Sequence, residues 1–179
     1  GPFDPVLYAK PKYPRLELYE LIRVPLGTPY SEIPRIVHNA LSRCEANSFG
    51  IRNWKDLVID AAGPGAPVIE LLRSARLPAS LFPLILTGGH NANTKPGGLN
   101  TLPRKDALTR LRILLETKQL TFSNELTNMA QLKRELYHVH PEGRDQHEHD
   151  DLAIAVALAA WRATVCMTEF LRHYKPDAA

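Results

Sequence analysis

The sequence predicts an α/β domain whose sheet is covered on both faces, and three features carry that prediction. Leu57-Val58-Ile59 and "LFPLILTGG" (Leu81–Gly89) are short, unbroken apolar runs that stop at turn-forming residues. Strands buried on both faces read this way. Around them lie segments whose apolar residues recur at three-and-four spacing, the period of an amphipathic helix. Strands alternating with helices select the α/β class.

The elements come in this order. Val6–Lys10 is a short strand candidate, and "PKYP" at Pro11–Pro14 is a turn. "RLELYELIRV" alternates Leu16, Leu18 and Leu21 with Glu17 and Glu20, close to period two, and is expected to pair with the first strand as a hairpin. After "PLGTPY" comes a helix carrying Ile33, Ile36, Val37, Ala40, Leu41 and Cys44 on one face, with Ser31 as its N-cap. The strand at Leu57–Ile59 ends on Asp60, a Gly-rich turn comes next, and Pro67–Arg76 forms a helix. Beyond the Gly88-Gly89 pair, Asn91–Thr101 reads as a polar loop. Then come a helix over "RKDALTRLRILLETKQ", a strand at Leu120–Ser123, a helix over Met129–Tyr137, and a long helix from Asp151 to about Tyr174.

Composition bounds the function. The 179 residues suit one domain, taken as 3–175, with Gly1-Pro2 read as a tag scar. The 44% hydrophobic and 23% charged content is ordinary for a soluble globular protein. The longest apolar run, Leu152–Trp161, is too short to span a bilayer, so no membrane partner is expected. Cys44 and Cys166 have no CxxC spacing and read as reduced core thiols in a cytosolic setting. A net charge of +3 permits an anionic partner without requiring one.

The most informative stretch is "DQHEHDDLAIAVALAAW", Asp145–Trp161, where acids and histidines abut a helix built for burial. Asp150 or Asp151 could simply cap that helix, and Asp60 could simply be a turn residue. Alternatively the acids hold metal. In open α/β sheets, functional groups collect at the carboxyl ends of strands, where Asp60 falls. The "HEH" histidines suggest zinc, yet no cysteine or further histidine lies at ligand spacing. His149 reads as a capping or supporting group, and His138 and His140 suit a helix end. Trp54 and Trp161 read as packing residues.

"RVPLGTPYSEIPRIV", "VIDAAGPGAPVIELL", "LILTGG", "LPRKDALTRLRILLETKQLTF" and "HDDLAIAVALAAW", in that order, resemble the nuclease domain of phage large terminase subunits. The resemblance runs from about Asp4 to the final helix. It implies a ribonuclease H-like mixed sheet flanked by helices and a two-ion carboxylate site using Mg2+ or Mn2+. It also implies double-stranded DNA as substrate during viral genome packaging. Implied partners are the terminase ATPase domain, the small terminase subunit and the portal, in the cytoplasm of an infected bacterial host. No G-x-x-x-x-G-K-[ST] phosphate loop is present, so the motor is not in this chain.

Carried over by position, Asp60 matches the family's carboxylate in "VxDxxGxG". Asp150 and Asp151 match its "HDDL" pair, one or both of which ligate metal, and Arg104-Lys105 match a basic pair opening a helix. The family's opening strand and its catalytic Asp have no counterpart, because "FDPVLYAK" resembles the segment immediately downstream of that strand. Loss of that central strand would leave a ladder of backbone groups unpaired. Asp4 could substitute as third acid, although a residue before Pro5 is also a natural turn former. Lys95, Arg104, Lys105, Arg110 and Arg144 are phosphate-contact candidates. The reading is a two-ion DNA endonuclease domain. The alternative is a catalytically incomplete ribonuclease H-like module that binds DNA or a partner protein.

Overall fold

Asp56 to Ile59 carry half-buried side chains in β2 (Asp56–Asp60), whose last residue, Asp60, is exposed. In this computed structural model the described residues are 15–44, 55–62, 65–89, 100–140 and 150–173. The other strands among them are β1 (Leu16–Leu18), β3 (Ser80–Thr87), β4 (Asn100–Pro103) and β5 (Leu120–Phe122). The helices are α1 (Ile33–Arg43), α2 (Gly65–Ser74), α3 (Arg104–Glu116), α4 (Met129–His138) and α5 (Asp151–His173). The chain is therefore α/β. One sheet has the order β2-β3-β4, and β1 pairs separately with β5. Every pairing among these strands is parallel.

Three expectations about secondary structure are corrected. The "RLELYELIRV" strand shrinks to Leu16–Leu18 because its partner, β5, offers only Leu120, Thr121 and Phe122 to pair with. The expected hairpin partner, Val6–Lys10, lies outside the described residues. Ser31 does not cap α1. It sits inside a 3-10 turn, Tyr30–Glu32, closed by the Glu32 N–H donating to the Pro29 carbonyl at 2.9 Å, and the helix starts after it. Pro34 occupies the first turn of α1, where its missing N–H costs nothing.

The third correction is β4, whose first residues fall within the stretch expected as the Asn91–Thr101 loop. Its parallel register with β3 begins at Leu84 opposite Asn100, one residue after Pro83. Pro83 has no N–H to contribute to a ladder. The Asn100 side-chain amide instead donates to the Pro83 carbonyl at 3.0 Å, which explains why a polar residue is buried there. Asparagine is depleted in strands, so the pattern is invisible to propensity.

One apolar core joins both sheets. Leu84, Leu102, Leu111, Leu132, Ala153, Ala157 and Trp161 are buried in it, and Leu16, Leu18, Val58, Phe82 and Phe122 pack against it. Residues 58, 82 and 84 alternate with 57, 81 and 83, so one face of β2 and β3 looks at α5. The final helix is long and apolar enough over Asp151–Glu169 to cross a membrane by composition, but half of that window is buried inside the fold.

Two ion pairs fix the direction of α5. At its start, Asp150 is bonded by Arg104, the residue immediately after β4. Eleven residues into the helix, Arg162 donates to Asp56, the first residue of β2, at 2.6 Å. Because β2 and β4 are parallel within one sheet, α5 runs from the carboxyl-end rim to the amino-end rim. The acids at its N-terminus therefore lie on the side of the sheet where Asp60 ends β2.

The Arg162–Asp56 pair is largely shielded, with 16% and 10% side-chain exposure, and the guanidinium lies 4.1 Å from the Phe82 ring centre. Trp161 packs near the same ring, at 6.1 Å between centres. Cys166 completes the cluster by donating its thiol to Asp56 at 3.3 Å. Cys44, expected in the core, is exposed at the end of α1, a helix with no buried residue.

The two thiols should consequently react differently. Burial, reinforced by the bond to Asp56, pushes the Cys166 thiol up to about 11. The thiolate is the reactive form, so at pH 8 Cys166 is held back. A maleimide at pH 8 should consume Cys44 first, with Cys166 labelling rising only as the pH approaches 11. Mass mapping of the labelled peptides checks this, and equal rates at pH 8 would contradict it.

Candidate functional site

The N-terminus of α5 needs acceptors for the amide N–H groups of its first turn. Asp150 supplies the cap position, and its carbonyl accepts the first helical bond from the Ile154 N–H at 2.9 Å. The side-chain cap comes from another helix. Glu135 of α4 accepts the Leu152 and Ala153 N–H groups through one carboxylate oxygen, at 2.7 and 3.0 Å. Its second oxygen accepts from Arg23 at 3.2 Å and from Gln131 at 3.4 Å. Glu135 is only 6% exposed, so these bonds are what makes its burial tolerable.

This arrangement leaves the aspartate side chains for other partners. Asp151 accepts from Arg23 at 3.2 Å and is 70% exposed at its side chain. Asp150 is bonded by the Arg104 Nη2, while Arg104 Nε donates to the His140 carbonyl at 3.3 Å. Two guanidinium groups thus face three carboxylates at the positive end of a helix dipole, which favours the anions. His138 ends α4, with Nδ1 2.9 Å from the Arg134 carbonyl.

Asp60 is exposed and turns back on its own loop, accepting the Ala62 N–H at 3.0 Å. The rim it belongs to is stepped. Asp60 is level with Leu84, whereas β4 ends level with Thr87. At about 3.3 Å per residue and about 4.8 Å between strands, the ends of β2 and β4 are offset by roughly 10 Å along the sheet and 10 Å across it.

Asp60, Asp150 and Asp151 therefore share one rim of the sheet, each bonded to a different neighbour. Among the described residues, no three or more His, Cys, Asp or Glu side chains are grouped so that they could hold a metal ion, so Asp60, Asp150 and Asp151 share a rim without converging on one point. The donors nevertheless suit hard divalent ions: all are carboxylates, two are adjacent in sequence, and Asp60 and Asp151 are open to solvent. Magnesium in particular needs only one or two carboxylates from the protein. An ion would have to replace the bonds those oxygens now make.

Of the basic candidates, Lys105 and Arg110 are exposed on α3, whereas Arg104 is half-buried in its pair with Asp150. Asp4, Trp54, Lys95, Arg144 and His149 lie outside the described residues. The sequence reading missed Glu135 and Arg23. A signal for Glu135 existed: Met129, Leu132, Leu136 and Val139 form a helical stripe packed on or within the core, and Glu135 interrupts it. Arg23 had no comparable signal, because its two partners lie 112 and 128 residues away. No protein-family model, curated protein or solved structure matches this chain.

Proposed function

We propose that this chain is a divalent-metal-dependent endonuclease domain of ribonuclease H-like fold, similar to the nuclease of phage large terminase subunits. Its substrate is double-stranded DNA cut during viral genome packaging. The terminase ATPase domain, small subunit and portal are its partners in the infected cell. The observation that carries this reading is the direction of α5, which delivers Asp150 and Asp151 to the carboxyl-end rim that Asp60 also occupies. Parallel α/β sheets place their chemistry on that rim.

In this reading Asp60, Asp150 and Asp151 hold the cations, and Glu135 holds the start of α5 so that the two aspartates are not spent on capping. Magnesium or manganese bound there supplies an activated water and positive charge for the phosphate as it gains negative charge. Lys105 and Arg110, exposed on α3, position the DNA backbone without reading sequence.

A second reading has one observation in its favour: Asp150 and Asp151 are already neutralised by arginines, as in a module that binds DNA or a partner without cutting. Plasmid nicking in manganese separates the two. Nicking by the wild type that is lost in Asp60→Ala and Asp151→Ala supports the nuclease, and nicking unchanged by both substitutions removes this site assignment. Absence of nicking, with DNA retention that weakens steeply in salt, supports the binding module.

A further inference from the structure

The arginines that hold the two aspartates are not equivalent. Arg23 bonds both Glu135 and Asp151, so if Asp151 turned to a cation, Arg23 would keep a buried carboxylate as its partner. Arg104 bonds Asp150 and the His140 backbone carbonyl, so losing Asp150 would leave it with a neutral acceptor. An arginine stays charged throughout the working pH range, so the pair does not open by Arg104 losing a proton. A competing cation can open it.

We infer that Arg104 is a positioning residue that works as a latch: it occupies Asp150 until a divalent ion takes its place, and its guanidinium is then released. The inference rests on the nuclease reading, in which Asp150 is an ion ligand. The released group sits on the first residue of α3, beside exposed Lys105, at the same rim of the sheet. There it can make a charge-assisted bond to a DNA phosphate. Cation binding and DNA binding become coupled through one side chain: the cation frees the phosphate contact, and by reciprocity DNA tightens the cation.

The test measures manganese affinity of the full chain by titration calorimetry, without reference to cleavage. Arg104→Gln removes the competitor and should bind manganese about tenfold more tightly, the smallest effect expected when a guanidinium next to a carboxylate is lost. Unchanged or weaker affinity in Arg104→Gln overturns the latch.

A second measurement needs no folded variant beyond the assignment. In nitrogen-labelled wild type, the Arg104 Nε–H resonance, identified by its loss in Arg104→Lys, should move on adding magnesium. A resonance that stays fixed at saturating magnesium overturns the latch as well. If manganese binds the wild type and Asp150→Ala abolishes it, while Arg104→Gln changes nothing, the latch falls and the nuclease reading stands. If neither wild type nor Arg104→Gln binds manganese, both fall together.

Discussion

Glu135→Ala is expected to cost about 3 kcal/mol of folding stability, as the breaking of a buried ion pair does. Two consequences add up, the loss of the side-chain cap and the loss of the partner of Arg23. The Leu152 and Ala153 amides lose their acceptor, which leaves a helix that fills the core without its side-chain cap, and Arg23 loses its buried partner. For a chain of this size the melting temperature should fall by roughly 8 °C. Glu135→Gln keeps an amide oxygen for the two N–H groups but loses the charge facing Arg23, and should recover about half of the loss. Thermal and urea unfolding of the three proteins checks the order. A Glu135→Ala protein as stable as the wild type would mean that α5 is capped by something other than Glu135.

Asp60→Ala should behave in the opposite way, with folding nearly untouched and chemistry removed. Asp60 is exposed, and its described bond is the one from the Ala62 amide, so stability should change by no more than about 1 kcal/mol. Manganese-dependent nicking should fall at least a hundredfold, since even residues that merely support a metal ligand are worth about 10- to 100-fold. The same variant has a signature independent of cutting. An ion that binds only the folded chain stabilises it, by about 2.7 kcal/mol at a hundred times its dissociation constant. Manganese should therefore raise the melting temperature of the wild type and leave that of Asp60→Ala nearly unchanged. Equal stabilisation of both proteins would place the ion elsewhere.

The sequence was most legible where a local pattern and a tertiary demand coincide. Leu57–Ile59 and Leu81–Thr87 are apolar because they are strands of the sheet that packs against α5, and the run from Leu152 to Trp161 is apolar because α5 crosses the core. It was least legible where a partner distant in sequence decides. Three residues of β5 limit β1, an asparagine side chain starts β4 beside a proline, and a glutamate from α4 does the side-chain capping that was the alternative role for Asp150 or Asp151. The site shows the same division. The spacing of "HDDL" against the apolar run placed two aspartates at a helix start. Their arginine partners come from Arg23, far upstream, and from the start of α3. No periodicity encodes such pairs, because each depends on how the sheet and helices are stacked.

Whether carboxylates from the end of β2 and the start of α5 serve the same ion is the central question. Anomalous diffraction from crystals soaked in manganese tests this most directly. The expected result is a peak within bonding distance of Asp60 and of Asp150 or Asp151, with the Arg104 guanidinium withdrawn from Asp150. The contrary result is well-ordered crystals in which Asp60 still faces Ala62, Arg104 still holds Asp150, and no manganese lies between them.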